Sequence, residues 1–257
     1  MRRIIPALLL PFILAVTAHA GAVLKVTKKD SSGKADGSEV YYAQEGMVRI
    51  DELDAHGNID EVNIVRDGVL WQIRPVERTF TRIDAQSLGQ TMGDANNRYS
   101  AMLASLPPEQ RAMIEAQLAK RNQLAATAYT FNDTGKTDHQ GGYDCHVFEE
   151  RRADTARARY CVVPTAGLPA GAELTAAIQK AADTVNQIFA SVPNMGHEAE
   201  RYVWFGKMQG FPVSWYFLAS SGAHDDEHVL ASAEAQRLPA DKFAIPQGFT
   251  ERPLSRD

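Results

Sequence analysis

The sequence predicts an α+β fold, a curved antiparallel sheet with helices inserted on one face. Short runs rich in Val, Ile, Tyr, Trp and Thr alternate with turn residues in the first third of the chain. Two later segments have helical periodicity, and alternating strands return near the C-terminus. No linker-like change of composition divides the 257 residues, so residues 21–257 are expected to form a single domain.

The first part of this domain is predicted to be a meander of six strands. Turn residues separate the strands, and Asp67-Gly68 is the strongest signal because both residues tolerate the positive φ of a two-residue hairpin turn. Such closely spaced hairpins imply antiparallel pairing. The expected strands are residues 22–29, 39–44, 47–52, 61–66, 69–74 and 79–84.

Helices are expected next, over residues 85–126 and 172–192. Pro107-Pro108 opens a helical segment whose apolar residues include Met113. The second helix has an apolar stripe of Leu174, Ile178, Val185 and Phe189, opposite a charged face. Strand alternation resumes in residues 211–220 and 229–236.

The N-terminus predicts export to the periplasm. Arg2 and Arg3 precede 13 apolar residues, and the segment ends in small residues, which places signal cleavage between Ala20 and Gly21. A membrane anchor would need about 20 apolar residues, and this run is shorter. Residues 1–20 are therefore expected to be a cleavable signal peptide. No cysteine stands at the start of the mature chain, so a lipoprotein is not expected.

The charge of the chain argues against nucleic acid as a partner. The sequence has 27 Lys and Arg against 32 Asp and Glu, for a net charge of −5, and loss of Arg2 and Arg3 makes it more negative. Nucleic-acid binders and proteins of anionic membrane surfaces usually carry a basic excess. The mature protein is expected to bind neither.

Cys145 and Cys161 are the two cysteines, and an oxidising compartment would pair them. The residues between them predict a hairpin turning around Ala153, in which Cys145 faces Cys161 and Glu149 faces Arg157. A redox-active pair would need the spacing C-x-x-C. A structural disulfide is expected, worth about 3 kcal/mol of stability.

His224 and His228 are the candidate metal ligands. Histidines at i and i+4 can share a metal on one helical turn, and the acidic residues between them could add oxygen ligands. The segment lies between two predicted strands, however, and follows Ser221-Gly222. A solvated loop without a metal is therefore expected.

Sequence motifs of catalysis are missing from the chain. It contains no G-x-S-x-G, no G-x-x-x-x-G-K-[ST] and no G-x-G-x-x-G. No cofactor is predicted, and an enzyme is the minority hypothesis.

Bulky apolar residues are the remaining candidates for a binding site. A curved sheet closed by helices either packs solid or leaves space for an apolar ligand. For each residue, core packing is the alternative interpretation. The residues predicted to line a cavity are Trp71, Phe80, Met113, Phe131, Leu174, Ile178, Val185 and Phe189.

Three segments carry a family resemblance: MVRIDE at residues 47–52, TGKTDHQGGYDCHVFE at 134–149 and LPADKFAIPQGF at 238–249. With them the chain resembles the DUF4412-type family of uncharacterised secreted Gram-negative bacterial proteins. That family is similar in fold to the periplasmic lipoprotein carriers LolA and LolB, whose unclosed barrel and covering helices enclose an apolar cavity. The resemblance implies a LolA-like half-barrel. Arg49, in the first segment, is interpreted as a surface residue.

The leading hypothesis is a non-enzymatic periplasmic protein that binds an apolar ligand, either a lipid or the acyl chains of a lipoprotein. The alternative is an envelope interaction or structural protein with a filled core and a protein partner. An enzyme would need a site built from residues that form no motif.

Overall fold

Twelve strands form one sheet in the part of the chain that the structure describes. The structure is a computed structural model and describes residues 20–125, 129–190, 210–219 and 224–254. The first six strands are β1 (Gly21–Lys29), β2 (Ala35–Gln44), β3 (Met47–Leu53), β4 (Ile59–Arg66), β5 (Val69–Arg74) and β6 (Thr79–Ile83). The others are β7 (Tyr129–Gln140), β8 (Tyr143–Arg152), β9 (Thr155–Pro164), β10 (Gly210–Leu218), β11 (His224–Gln236) and β12 (Thr250–Arg252).

The sheet has the order β12-β6-β5-β4-β3-β2-β1-β11-β10-β9-β8-β7. Neighbouring strands are antiparallel, except that β12 runs parallel to β6. The strands β12 and β7 lie at opposite edges, so the sheet is not closed. This confirms the predicted α+β fold with an unclosed antiparallel sheet.

The predicted six-strand meander is confirmed by β1 to β6. Two of its five hairpins have two-residue turns, Glu45-Gly46 and Asp67-Gly68, with positive φ at both positions. These turns fix the register, because Gln44 then faces Met47 and Arg66 faces Val69. Alternate residues of each strand therefore point to opposite faces of the sheet.

One face, which we call the helix face, is covered in part by the helix α3 (Gly171–Ala190). The helix contacts β1 to β5. Its buried residues Leu174, Ala177 and Ile188 follow helical spacing, as the apolar stripe predicts. The last two residues of the predicted helix lie outside the described residues.

The opposite face, which we call the tail face, is covered by residues 238–252, which we call the tail. Phe243 is fully buried against Val62, Ile64 and Ile73. The side chain of Gln44 holds the start of the tail, since its Nε2 donates to the Leu238 carbonyl (3.2 Å) and its Oε1 accepts from the Leu238 amide (2.7 Å). β12 then adds the tail to the edge of the sheet at β6.

Arg49 is not the surface residue that the sequence predicts. Its side chain is 13% exposed, and its Nε donates to Asp51 Oδ1 at 2.5 Å. Its Nη1 donates to the Lys242 carbonyl at 2.9 Å, and Lys242 Nζ lies 3.5 Å from Asp51 Oδ2. Strand alternation places Arg49 and Asp51 on the tail face, so the tail covers both. Residues 47–52 and 238–249, two of the three segments that carry the family resemblance, thus contact each other here.

Two further helices, α1 (Ala85–Ala104) and α2 (Pro108–Ala125), fill the predicted helical region. α1 begins with a capping box, in which Asp84 Oδ1 accepts from the Ser87 amide (2.7 Å) and Ser87 Oγ accepts from the Asp84 amide (3.0 Å). Leu88 of α1 packs with Ile188 of α3. Met113, a predicted cavity residue, is 58% exposed on α2.

The predicted disulfide between Cys145 and Cys161 is confirmed, with Cα atoms 5.3 Å apart. The predicted register is wrong, because Val147 faces Cys161 and Glu149 faces Arg159. The turn has two residues rather than one, and a bulge after Glu150 shifts the pairing further. The bond therefore joins cysteines that lie diagonally across β8 and β9.

Candidate functional site

A line of ring side chains crosses four strands on the helix face. His228 of β11 faces Trp215 of β10, and Trp215 faces Tyr160 of β9. Tyr160 in turn faces Phe148 of β8. We call these four residues the aromatic row.

A line of acidic side chains crosses three other strands on the same face. Glu39 of β2 faces Glu52 of β3, and Glu52 faces Glu61 of β4. We call these three residues the carboxylate row. Like charges directly opposite one another destabilise a sheet, so this arrangement has a cost that needs an explanation.

The two rows meet at His228 and Glu39. His228 Nδ1 lies 3.7 Å from Glu39 Oε1, and the imidazole stacks on the Trp215 ring at a centroid distance of 4.6 Å. His228 is only 7% exposed, and within the described residues its Nδ1 has no hydrogen-bond partner. A buried nitrogen of this kind is unusual, because buried polar atoms are normally paired.

The solvated loop predicted for His224 and His228 is wrong. Both residues belong to β11, where His224 is exposed and stacks on Tyr216 while His228 is buried. Four residues of extended strand span about 13 Å, so the shared helical turn on which the metal hypothesis depended does not form. The acidic run between the histidines resembled a loop, but it continues the strand. Within the described ranges, no group of three or more potential metal ligands comes together.

Burial lowers the pKa of the His228 imidazole, because the charged form loses hydration. The negative charges of Glu39 and Asp226 raise this pKa, and the positive charge of Lys28 lowers it further. The imidazole is therefore neutral at pH 7.

Burial has the opposite effect on the acids of this region. It raises the pKa of Glu52, and the neighbouring carboxylates of Glu39 and Glu61 raise it further. Burial also raises the pKa of Tyr41 well above its ordinary value. The charge of Glu39, whose carboxylate accepts a hydrogen bond from the Tyr41 hydroxyl, raises it further. The charge of Lys28 acts against these effects on Glu52.

A cleft of about 390 Å³ adjoins the carboxylate row at Glu52. Four of its lining residues are acidic, and Lys28 and His56 are basic. The lining residues are Lys28, Asp36, Glu52, Leu53, Asp54, Ala55, His56 and Asp60.

The predicted cavity residues are divided between the two faces. Phe131, Leu174 and Ile178 pack in the core of the helix face, and the Phe131 ring lies 6.1 Å from that of Tyr160. Trp71 and Phe80 lie on the tail face, in the cluster of Phe243.

The remaining candidates lie on helices. Phe189 packs with Leu88 and Ile188, at the end of α3 that contacts α1, and Val185 lies one turn before it. Met113 is exposed. The structure therefore does not bring the eight candidates together in one place.

Sequence reasoning missed the carboxylate row, although part of the signal was present. A two-residue turn at Glu45-Gly46 puts Glu39 opposite Glu52, whereas the pairing of Glu52 with Glu61 depends on a register shift between Glu52 and Leu53. Working through the first hairpin would therefore have found the pair of Glu39 and Glu52, but not Glu61. His228 could not be found in this way, because its neighbours Trp215 and Lys28 come from strands distant in sequence.

His228→Gln is expected to weaken the dependence of stability on pH. Because the folded imidazole has a lowered pKa, the unfolded chain takes up a proton first as the pH falls below about 6.5. The free energy of unfolding of the wild type should therefore decrease from pH 7.5 to pH 5.5, and less steeply in the variant. Urea unfolding at both pH values measures this. Exposed His146→Gln is the control and should keep the wild-type dependence. Equal slopes for His228→Gln and the wild type would assign the titration to another group.

No family model and no curated protein sequence matches this chain, so membership of the DUF4412-type family stays a prediction. One similar solved structure is an uncharacterised conserved protein from Thermus thermophilus, with a TM-score of 0.45, 6% identity, and coverage of 91% of this chain and 90% of that one.

Two further solved structures are similar over a smaller share of their own length. The Pseudomonas aeruginosa MucA/MucB complex has a TM-score of 0.37 at 10% identity, covering 90% of this chain and 56% of that chain. PNGF-II has a TM-score of 0.41 at 9% identity, covering 91% and 31%. This chain thus spans about half of the MucB-complex chain. With TM-scores below 0.5, these similarities carry no conclusion about function.

Within the described residues, no helix has the length and apolar character needed to cross a membrane.

Proposed function

We propose that this chain is an exported, non-enzymatic binding protein that holds the apolar chain of a ligand, a lipid or the acyl chain of a lipoprotein, against the half-buried phenylalanines of the helix face. In the aromatic row, His228, Trp215 and Tyr160 are buried and Phe148 is half-buried. The observation that supports the proposal is the uneven cover of the helix face by the helices that the structure describes. α3 contacts β1 to β5, whereas the rings of Phe131, Phe148 and Phe217, on β7, β8 and β10, stay partly exposed.

Phe131 and Phe148 lie on the adjacent strands β7 and β8, and β9 separates them from Phe217 of β10. Phe148 faces Tyr160, and Phe217 follows Trp215 by two residues on the same face. The hydroxyl of Tyr160 donates to the buried Glu150 at 2.6 Å, so its polar end is satisfied within the protein. An apolar chain laid along these rings would gain about 25 cal/mol for each Å² of apolar surface removed from water.

The proposed compartment is the periplasm. A disulfide of good Cα spacing fits an oxidising environment, and the predicted signal peptide would deliver the chain there. Residues 1–19 of that signal lie outside the described residues.

The test uses Nile Red, an uncharged fluorescent apolar dye, titrated into the mature protein. Saturable binding is expected, together with a rise in melting temperature, because a ligand that prefers the native state stabilises it. Phe148→Ser should weaken binding about tenfold, since it removes part of the apolar contact. Val76→Ser makes the same kind of change at a side chain that is 83% exposed, and should bind Nile Red as the wild type does.

Mass spectrometry of molecules that copurify with the exported protein is the companion measurement. A copurified lipid that is depleted in folded Phe148→Ser supports the proposal. If the dye does not saturate and no lipid copurifies, the carrier-like function is wrong.

A protein partner is the second candidate, and one observation favours it. Met102 and Met113, on the hairpin of α1 and α2, are 46% and 58% exposed. Exposed methionines suit adaptable protein contacts. Cross-linking to one envelope protein, lost in Met102→Lys with Met113→Lys, would favour this function if the dye does not bind.

A further inference from the structure

We propose that the tail face contains a binding groove for an extended polypeptide, and that the tail occupies this groove as an internal ligand which a second polypeptide replaces. The partner is a segment in which a basic residue is followed by an aromatic one. The groove lies on the face of the sheet opposite to the phenylalanines of the proposed function, so the two sites are independent. We call it the tail groove, and it is lined by Gln44, Arg49, Asp51, Val62, Ile64 and Ile73.

The tail groove holds the tail by its main chain. The Gln44 side chain bonds both the amide and the carbonyl of Leu238, at 2.7 and 3.2 Å. Arg49 Nη1 donates to the Lys242 carbonyl at 2.9 Å, and β12 pairs with β6 as an added strand does. Main-chain donors and acceptors are common to almost all residues, so a groove that bonds them accepts segments of different sequence.

Two side chains of the tail fill pockets between these main-chain contacts. Leu238 and Phe243 are both buried, and the Phe243 ring packs in the cluster of Val62, Ile64 and Ile73. Main-chain hydrogen bonds that give affinity, combined with pockets that select side chains, are the usual means by which a sheet recognises an extended peptide. The tail therefore has the contacts of a bound peptide.

A buried carboxylate beside the Phe243 pocket selects a basic residue. The Asp51 side chain is 3% exposed, and its Oδ2 lies 3.5 Å from Lys242 Nζ, while its Oδ1 accepts from Arg49. The same ammonium group lies 3.7 Å from the centre of the Tyr42 ring. Carboxylates and aromatic faces both attract cations. The tail groove thus favours a lysine or arginine immediately before the aromatic residue.

The tail is attached at the end of the chain and at the edge of the sheet. The exposed Arg237 joins it to β11, and the three residues of β12 are exposed, with the Thr250 amide donating to the Arg78 carbonyl at 3.0 Å. Beyond β12, the carbonyl of Leu254 accepts from Thr91 Oγ1 at 3.3 Å. Because β12 is an outer strand of the described sheet, release of the tail separates no other pair of strands in it. Terminal segments of this kind open locally while the rest of the fold persists.

The test measures binding of a fluorescein-labelled peptide of residues 237–252 to the full mature protein by fluorescence anisotropy. In the wild type the attached tail competes, because a short connection gives it an effective concentration of roughly millimolar. Phe243→Ala in the protein removes the main anchor of the attached tail and leaves the lining of the groove unchanged. The peptide should bind this variant at least about tenfold more tightly than it binds the wild type.

Thr250→Pro is a second variant, which removes the amide donor to Arg78 at an exposed position and keeps the Phe243 ring. It should also bind the peptide more tightly than the wild type does, by a smaller factor. Val76→Ala, at an exposed side chain outside the groove, is the control and should bind it as the wild type does. Circular dichroism establishes that each variant is folded.

Changes in the peptide assign its binding to the tail groove. An N-methyl group on the Leu238 amide removes the bond to Gln44 Oε1 and should weaken binding about tenfold. Lys242→Glu in the peptide puts a like charge beside Asp51 and should abolish binding. Asp241→Ala in the peptide changes an exposed neighbour and is the matched control, with the affinity of the natural sequence expected.

Equal affinity of the peptide for the wild type and for folded Phe243→Ala overturns the exchange of the tail. If that variant does not fold, equal affinity for Thr250→Pro does so. Binding that depends neither on the Leu238 amide nor on the Lys242 charge overturns the groove as the site. Dimers of the variants that excess peptide dissociates support the exchange and identify the tail of a second copy as the occupant. Displacement of Nile Red by the peptide overturns its placement on the tail face, whereas failure of Nile Red to bind leaves the tail groove unaffected.

Discussion

Phe243→Ala is expected to lower the free energy of unfolding by about 3–5 kcal/mol. The ring is fully buried and fills the space between the tail and Val62, Ile64 and Ile73, so its removal leaves a cavity beneath the tail. Urea unfolding followed by tryptophan fluorescence measures the loss, because Trp71 belongs to the same cluster.

Val76→Ala is the control for this substitution. It shortens an apolar side chain that is 83% exposed, and should change stability by no more than about 0.5 kcal/mol. A cost below about 1 kcal/mol for Phe243→Ala would contradict the packing of the tail, because a buried phenylalanine cannot be lost so cheaply.

Asp51→Ala is expected to cost about 3–5 kcal/mol, the range for removing one partner of a buried ion pair. The carboxylate lies between Arg49 Nε at 2.5 Å and Lys242 Nζ at 3.5 Å. Its loss leaves the positive charges of Arg49 and Lys242 together, where the tail packs on the sheet. Thermal and urea unfolding at pH 7 measure the effect.

Glu77→Ala is the matched control, because Glu77 also pairs with two basic residues but at the surface. Its carboxylate lies 2.8 Å from Arg252 and 3.6 Å from Arg74, and the expected cost is at most about 1 kcal/mol. Replacing the pair, by Arg49→Met with Asp51→Leu, should restore part of the stability lost in Asp51→Ala. A double variant less stable than Asp51→Ala would show that the charge left behind is not the cause.

The meander was predictable because its information is local. Two-residue turns such as Asp67-Gly68 define both the ends of the strands and their register, and each strand pairs with its neighbour in sequence. The helix α3 was predictable for a similar reason, since the spacing of apolar residues within this one segment determines which side of the helix is buried.

The disulfide shows where such local reasoning ends. The pairing of Cys145 with Cys161 follows from their being the two cysteines, but the register of β8 and β9 depends on a bulge after Glu150 that no residue type announces. Arg49 is a similar case, because its burial depends on the tail, almost 200 residues further along the chain.

The candidate site was predictable only in half. The pair of Glu39 and Glu52 follows from the two-residue turn between β2 and β3, whereas Glu61 joins it through a register shift. The aromatic row combines β11, β10, β9 and β8. Trp71 and Phe80 were placed with Phe131 as cavity residues because residue type does not say which face of a sheet a side chain occupies. The structure puts Trp71 and Phe80 on the tail face and Phe131 on the helix face.

The position of β1 in the middle of the sheet has a consequence for the order of folding. β1 pairs on one side with β2, through a short connection, and on the other side with β11, through contacts such as Lys29–Glu227 that join residues 198 apart. The meander can form from nearby contacts, but the seam between β1 and β11 must close a very long loop, and folding slows as contacts become more distant in sequence. The two halves of the sheet are therefore expected to join late. A chain that completes its fold slowly stays open longer after synthesis, which is compatible with passage through a membrane before the seam is closed.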